Sequence, residues 1–258
     1  MAQETHRSGF VIDAMARTGS TTLVRLLNSH PDIRCLMEPF HPNRYEGQFH
    51  RMAIRARSVK PALDLIWYRW TGLKHVWEAE SGWPFSHNKK FNDEIVLYAS
   101  RVVFLRRRNL LRRLVSSFMS RQLNFWVGTQ REFRARIEAV PLKELNLESV
   151  LQQIKTDQAA INERLELLQH HGIATMQLCY EDFYRREASS SAQLAMVNSI
   201  LGFLRVQEIS QEAFAKDWAP FFDSDAYQWA SPETYLLIPG IEAIDREVGS
   251  DETGWLLR

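Results

Sequence analysis

Short apolar runs alternate with amphipathic stretches along the chain. Residues 9–15 are apolar, contain β-branched side chains and begin at a glycine, so the pattern predicts a buried strand. Residues 23–27 place apolar side chains at helical spacing and stop shortly before Pro31, which predicts a helix. A second short strand is predicted over 33–37. The chain therefore opens with a strand–helix–strand series.

The alternation continues in the second half of the chain. Residues 100–106 form the clearest buried strand, and Asn109 is a suitable N-cap for the helix that we predict after it. Helical periodicity returns over 142–170 and around 192–203, and a strand is predicted over 173–180. Strands that alternate with helices predict an α/β fold of three layers, in which helices flank a mainly parallel central sheet.

The composition is that of an ordinary globular domain. The chain has 258 residues, of which 45% are hydrophobic and 24% charged, and its net charge of +1 provides no general field for nucleic acid. Cys35 and Cys179 fall in predicted strands, which favours buried thiols in a reducing compartment. Residues 1–8 lack the apolar core of a signal peptide, and no run approaches a membrane span. We expect a single cytoplasmic domain over 1–258, without a membrane partner; its oligomeric state stays open.

Residues 44–92 differ from the rest of the chain in their pattern of basic, apolar and aromatic residues. Basic and apolar side chains interleave over 51–63, which indicates an amphipathic helix. Aromatic residues then become dense over 67–85. One interpretation is an ordinary core. We favour an insertion over 44–92 that caps the site and offers flat apolar walls to a second substrate, with the aromatic residues Trp67, Tyr68, Trp70, Trp77, Trp83 and Phe85.

The stretch 16–22, between the first strand and the first helix, is suited to binding an anion. A helix that begins directly after a strand points free backbone N–H groups at such a ligand, and Gly19 lets the backbone approach it. Arg17 adds a guanidinium, which suits phosphate or sulfate. An ordinary capped helix is the simpler alternative. The stretch also offers the hydroxyl groups of Thr18, Ser20, Thr21 and Thr22.

Two motifs resemble those of sulfotransferases that use 3′-phosphoadenosine 5′-phosphosulfate (PAPS). Their phosphosulfate loop, where a basic residue precedes a Ser/Thr-Gly-Ser/Thr-Thr run, resembles Arg17-Thr18-Gly19-Ser20-Thr21. Their 3′-phosphate motif is a strand-end Arg-Asn followed by Val-Ser eight residues after the arginine, and Arg108 and Ser116 stand at this spacing. The segment from His30 to Glu38-Pro39 resembles the bacterial and carbohydrate-type branch. The loop lacks the first glycine and the Gly-Lys pair of a Walker A loop.

The resemblance implies a P-loop-like sulfotransferase fold and a metal-free transfer of sulfonate from PAPS, with PAP (3′-phosphoadenosine 5′-phosphate) as the product. The sulfonate would pass to a hydroxyl or amine group of a carbohydrate or a small molecule. Secondary metabolites such as saxitoxin-type alkaloids are one class of small-molecule acceptor that the resemblance implies. Arg17 would stabilise the sulfonate, and Arg108 and Ser116 would bind the 3′-phosphate. Glu38 would be the general base, with His41 and His30 as alternatives. The phosphosulfate would be bound by the other loop residues, namely Thr18, Gly19, Ser20, Thr21 and Thr22.

The chain also departs from the family pattern. Thr22 stands where many cytosolic members carry a tryptophan that stacks on adenine, so another residue must do so here. The carboxy-terminal segment only weakly resembles the glycine-containing tail that binds PAPS in cytosolic members, through Arg246, Gly249, Gly254 and Trp255. Two other functions stay open, namely a P-loop-like nucleotide kinase and a catalytically silent nucleotide-binding module. Magnesium-dependent ATP turnover would favour the kinase, and PAP binding without turnover would favour the silent module.

Overall fold

A five-stranded sheet with the order β2–β3–β1–β4–β5 forms the centre of the molecule. The computed structural model describes residues 9–126, 128, 130–185, 187–222 and 232–258. All neighbouring strands are parallel. Their bounds are β1 Phe10–Met15, β2 Cys35–Met37, β3 Gly72–Trp77, β4 Arg101–Arg106 and β5 Ala174–Cys179.

Helices connect the strands and continue beyond the last one. The amino-terminal half contains α1 Ser20–Leu27, α2 Gln48–Ala56, α3 Lys60–Arg69, α4 Lys90–Leu97 and α5 Leu110–Gln122. Next come α6 Gln130–Ala139, α7 Leu147–His170, α8 Tyr180–Phe183 and α9 Ser190–Leu204. The last are α10 Gln211–Ala213, α11 Pro232–Tyr235 and α12 Ile241–Val248. A π-helix, Phe214–Trp218, and short 3₁₀ turns at Tyr45–Gly47 and Ala219–Phe221 complete the helical segments of the described residues.

The core lies on both faces of the sheet, because successive side chains of β1 point to opposite sides. Val11 and Met15 pack with buried residues of α2 to α5 and α7. Ile12 and Ala14 pack with buried residues of α1 and α9. The predicted α/β fold, with helices flanking a parallel central sheet, is therefore confirmed. The Asn109 cap is also found, because the Asn109 side chain accepts a hydrogen bond from the backbone N–H of Arg112 at 2.7 Å.

The structure corrects the expectation that 44–92 is an insertion over the site. Residues 72–77 of that segment form β3, the strand between β1 and β2. Trp77 and Phe85 belong to the buried core, and of the aromatic residues named for the walls only Trp83 lines the main cavity. We missed β3 because Lys74 and His75 interrupt its apolar pattern, although both side chains are only 2% exposed.

Among the described residues, no helix is both long enough and apolar enough to cross a membrane. The Cys35 thiol is buried on β2, as expected, and burial raises its pKa far above the usual range. Cys179 is only partly buried, at the end of β5, where its thiol donates to Glu181 Oε2 at 3.1 Å. The cytoplasmic location stays a prediction.

Candidate functional site

A cavity of about 630 Å³ opens at the carboxyl edge of the sheet, where parallel α/β sheets usually hold their ligands. The stretch 16–22 that follows the central strand β1 lies between the ends of β3 and β4. Thr18 and Arg108 are not among the residues that line the cavity. The predicted site residues that do line it are Arg17, Gly19, Ser20, Thr21, Thr22, Glu38, His41 and Ser116.

Two left-handed residues shape the loop. Gly19 has a φ of 82° and a Cβ there would lie 2.7 Å from the ring of Tyr184, so both its conformation and its surroundings require glycine. The Tyr184 hydroxyl donates to the Gly19 carbonyl at 2.9 Å. Arg17 also has a positive φ, 67°, which costs free energy in a residue with a side chain. Its carbonyl accepts a hydrogen bond from Arg107 at 3.3 Å, which supports this conformation.

The Arg17 side chain joins the loop to α5. Its Nε donates to Ser116 Oγ at 2.9 Å, and one terminal nitrogen donates to the Trp126 carbonyl at 3.0 Å. Burial and the neighbouring charge of Arg107 lower the pKa of Arg17 to about 10, so the guanidinium stays charged near neutral pH. The structure thus brings together one residue from each of the two motifs, 99 positions apart in sequence.

Thr18 serves the loop rather than the cavity. The residue is 1% exposed, and its hydroxyl donates to the Met15 carbonyl at 2.9 Å, which closes the turn after β1. Ser20, Thr21 and Thr22 lie at the beginning of α1 and line the cavity. The backbone N–H groups of this first helical turn therefore lie beside the cavity.

Lys74 and Glu38 form a buried ion pair on the other side of the loop. Lys74 Nζ lies 2.5 Å from Glu38 Oε1 and donates to Thr21 Oγ1 at 2.7 Å. Arg44 Nε lies 3.4 Å from the second carboxylate oxygen of Glu38. Burial raises the pKa of Glu38, but the charges of Lys74 and Arg44 and the lysine hydrogen bond outweigh it and hold this pKa below its usual value. Burial lowers the pKa of Lys74, while Glu38 opposes that change.

The two histidines that we considered as bases differ from Glu38 in their surroundings. His41 lines the cavity, but its Nδ1 accepts a hydrogen bond from the Asn43 backbone N–H at 3.1 Å. Burial lowers the pKa of His41. His30 is 4% exposed and uses both ring nitrogens on backbone groups, namely the Asp32 N–H and the Gln207 carbonyl. His30 does not line the cavity.

Arg107, rather than Arg108, faces the cavity beside Tyr180. Arg107 lines the cavity, and its guanidinium carbon lies 4.5 Å from the centre of the Tyr180 ring. The Arg108 side chain is 56% exposed and pairs with Asp182 at 2.6 Å. Because Arg106, Arg107 and Arg108 are consecutive, the spacing of the motif alone does not determine which of them faces the cavity. The weakly matching tail lies next to α5, where Asn109 Nδ2 donates to the Trp255 carbonyl at 2.7 Å.

A second buried ion pair fixes the backbone before Arg17. Arg113 of α5 is 2% exposed, pairs with Asp157 of α7 and donates to the Ala16 carbonyl at 3.4 Å. Glu78, at the end of β3, lies 3.6 Å from Arg113 and accepts from the Ala16 N–H at 3.3 Å. The loop is thus anchored to β3, α5 and α7. Apolar periodicity identified only the inner faces of these helices and gave no sign of this network.

Protein-family models and curated protein sequences give no match to this chain.

Other features of the site could have been found from the sequence, at least in part. Lys74 is a charged residue between the apolar residues Leu73 and Val76, and such a residue in a buried strand needs a partner. Tyr180 stands at the end of a predicted strand. Three further aromatic residues, Tyr180, Tyr184 and Phe221, line the cavity, and the centres of the two tyrosine rings lie 5.0 Å apart. Among the described residues, no group of three or more His, Cys, Asp or Glu side chains could hold a metal ion.

Proposed function

We propose that the protein is a sulfotransferase, with a P-loop-like sulfotransferase fold, that transfers sulfonate from PAPS to a hydroxyl or amine of an acceptor. The observation that carries this proposal is the hydrogen bond from Arg17 Nε to Ser116 Oγ at 2.9 Å. This bond joins Arg17 of the loop to Ser116 of α5. The two residues come from different motifs and line the same cavity. The loop follows the central strand of a parallel sheet, which is consistent with the proposed fold.

The donor fits the cavity by charge and shape. The first turn of α1 and Arg17 supply donors for the phosphosulfate, and Ser116 retains a hydroxyl hydrogen for a phosphate oxygen because it accepts from Arg17. Tyr180, Tyr184 and Phe221 offer flat walls for the adenine. They would replace the tryptophan that is missing at Thr22.

Glu38 is the proposed base. As the acceptor oxygen attacks sulfur, its proton passes to Glu38, the bond from sulfur to the bridging oxygen breaks, and PAP leaves with the electron pair. His41 is less suited, because a backbone N–H occupies its Nδ1 and the neutral ring then carries its proton on Nε2. Lys74 and Arg17 stabilise the charge that develops on the sulfonate and the leaving oxygen.

The contact with Lys74 makes Glu38 a weak base while the cavity holds no donor. A sulfonate near Thr21 would compete with Glu38 for the ammonium group, because Lys74 already donates to Thr21 Oγ1 at 2.7 Å. If Lys74 shifts toward the sulfonate, Glu38 loses its closest positive charge and its pKa rises. Donor binding would in this way activate the base.

The acceptor would enter beside Glu38. Trp83 and His41 meet edge to face with ring centres 5.1 Å apart, and Trp126 lines the same cavity. Aromatic faces with nearby polar groups such as Asn43 suit a carbohydrate or a small ring-containing metabolite, including an alkaloid.

A thermal-shift experiment tests the donor class. PAP at about 100 times its Kd stabilises the folded state by about 2.7 kcal/mol through mass action. For a chain of this size, that raises Tm by about 5–11 °C. We expect the shift without magnesium and unchanged by excess EDTA, and transfer of label from labelled PAPS to an acceptor in a panel. A shift that requires magnesium and follows ATP contradicts the proposal and favours a kinase.

Substitutions can show which of two neighbouring arginines, Arg107 or Arg108, contacts the 3′-phosphate. Arg108 reaches it only if the exposed pair with Asp182 opens, and such surface pairs contribute only about 0–1 kcal/mol. We therefore expect Arg108→Ala to weaken PAP binding by about 1.5–3 kcal/mol while leaving 5′-AMP binding unchanged. Calorimetry with both ligands measures the difference.

The matched variants for this experiment are Asp182→Ala and Arg107→Ala. Asp182→Ala should leave PAP affinity equal or improved, because it frees Arg108. Arg107→Ala should weaken PAP and 5′-AMP alike, because Arg107 supports the Arg17 carbonyl and contacts Tyr180. If Arg107→Ala weakens only PAP and Arg108→Ala weakens neither ligand, the 3′-phosphate contact belongs to Arg107.

A further inference from the structure

A second cavity, of about 340 Å³, lies at the amino edge of the sheet. It is bounded by the beginnings of β1, β3 and β4, the end of α3 and the end of α9. The strands separate it from the main cavity, and a six-residue strand such as β1 spans about 20 Å. Among the described residues, the two cavities share no lining residue. The amino-edge cavity is therefore a separate place on the molecule.

The charges at this cavity have one sign. Arg34, Arg69 and Arg101 line it, and no acidic residue is among the described residues that do so. Within the described part of the chain, none of these guanidinium groups pairs with a carboxylate. Burial and the neighbouring charge of Arg205 lower the pKa of Arg101. Clustered guanidinium groups repel one another, and an oxyanion bound between them would relieve this repulsion through charge-assisted hydrogen bonds.

Aromatic side chains lie beside these arginines. Tyr68 is 85% exposed, so its ring is open to a ligand. Trp67 and Trp70 line the cavity, are partly buried and pack against the core. The Trp67 indole nitrogen is buried and has no hydrogen-bond partner. The cavity thus combines flat apolar faces with cationic groups, and each suits a different part of one ligand.

We propose that the amino-edge cavity is a second binding site, for a small phosphate or sulfate ester carried on a flat ring. The oxyanion binds to Arg34, Arg69 and Arg101, and the ring packs against Tyr68 and the neighbouring indoles. The site does not depend on the sulfotransferase proposal, because it uses none of the residues of the main cavity.

Indole N–H signals in a two-dimensional ¹H–¹⁵N NMR spectrum test this site directly on the full chain. The signals of Trp67 and Trp70 are assigned with Trp67→Phe and Trp70→Phe, and those of Trp83 and Trp126, which line the main cavity, in the same way. Titration with phenyl phosphate at low salt should shift the Trp67 and Trp70 signals with a saturable curve. Phenyl sulfate, the second probe, distinguishes a sulfate ester from a phosphate ester. No saturable shift of the Trp67 and Trp70 signals with either probe overturns the proposal.

Two double variants that remove the same charge distinguish binding in this cavity from a general electrostatic attraction to the protein. Arg34→Gln/Arg101→Gln removes two charges from the cavity and should weaken phenyl phosphate binding at Trp67 and Trp70 about tenfold or more. Arg55→Gln/Arg246→Gln removes the same net charge outside both cavities and should leave the binding curve unchanged. An equal loss in both double variants overturns the proposal.

Inorganic phosphate and phenol test the two halves of the ligand. Phenyl phosphate should bind more tightly than inorganic phosphate, and phenol should cause little shift, because neither probe alone satisfies both the arginines and the aromatic faces. Equal affinity for inorganic and phenyl phosphate overturns the part of the proposal that concerns the ring.

Discussion

Glu38→Gln is expected to lower kcat about 10²–10⁴-fold, the usual contribution of a general base, while donor affinity changes little. Glutamine retains the shape of the side chain and can still accept hydrogen bonds from Lys74 and Arg44. It cannot take a proton from the acceptor. Steady-state kinetics with PAPS, together with calorimetry of PAP binding, separate the two effects.

The pH–rate profile offers an independent check. Although burial raises the pKa of Glu38, Lys74 and Arg44 hold it below the usual value of 4.5. In the profile of kcat/KM for PAPS, which reports the free enzyme, activity falls as the pH drops through this lowered pKa. In the profile of kcat, which reports the donor-bound enzyme, the acidic limb should lie at higher pH, because Lys74 has shifted toward the sulfonate. This acidic limb should disappear in Glu38→Gln. Full activity in Glu38→Gln together with an inactive His41→Ala would assign the base to His41.

Asp157→Ala is expected to destabilise the protein by about 3–5 kcal/mol, because it leaves the buried guanidinium of Arg113 without its closest carboxylate. This is a large share of a typical unfolding free energy of about 5–15 kcal/mol. Urea denaturation followed by circular dichroism measures the loss. Glu78 remains near Arg113 at 3.6 Å, but it also holds the Ala16 N–H and cannot fully replace Asp157.

The matched control is Glu163→Ala, which removes an exposed carboxylate from the same helix α7. It should change the unfolding free energy by no more than about 0.5 kcal/mol. Asp157→Asn should lie between the two, because the amide keeps one acceptor oxygen but loses the charge. If Asp157→Ala unfolds at the same urea concentration as Glu163→Ala, the Arg113–Asp157 pair does not stabilise the fold as described.

The sequence predicted those strands whose side chains follow a simple pattern. β1 and β4 are buried on both faces and are therefore nearly continuous apolar runs. β3 lies equally deep but carries Lys74 and His75, and the burial of Lys74 depends on partners elsewhere in the chain. Lys74 finds Glu38 and Thr21, residues that no local pattern connects with it.

Several residues that line the main cavity could be selected from the sequence one by one, but the contacts between them could not. Local motifs identified Arg17 and Ser116, because each lies in a short segment with a characteristic spacing. Their hydrogen bond depends on how α5 packs beside β1, which periodicity does not determine. Arg113 is a similar case, because its partners come from α7, β3 and the loop. Such long-range polar contacts are set by tertiary packing.

The strand order divides the main cavity between two consecutive portions of the chain. Residues 33–98 supply its Glu38 and Lys74 side, next to β2 and β3, whereas residues 101–185 supply Arg107, Ser116 and Tyr180 next to β4 and β5. The loop after β1 is shared by both portions. Under the proposed function, replacing residues 33–98 with those of a related enzyme would therefore combine the base and acceptor side of that enzyme with the donor side of this chain, including the loop after β1. Such an exchange is expected to alter the acceptor while leaving the residues proposed to bind the nucleotide unchanged.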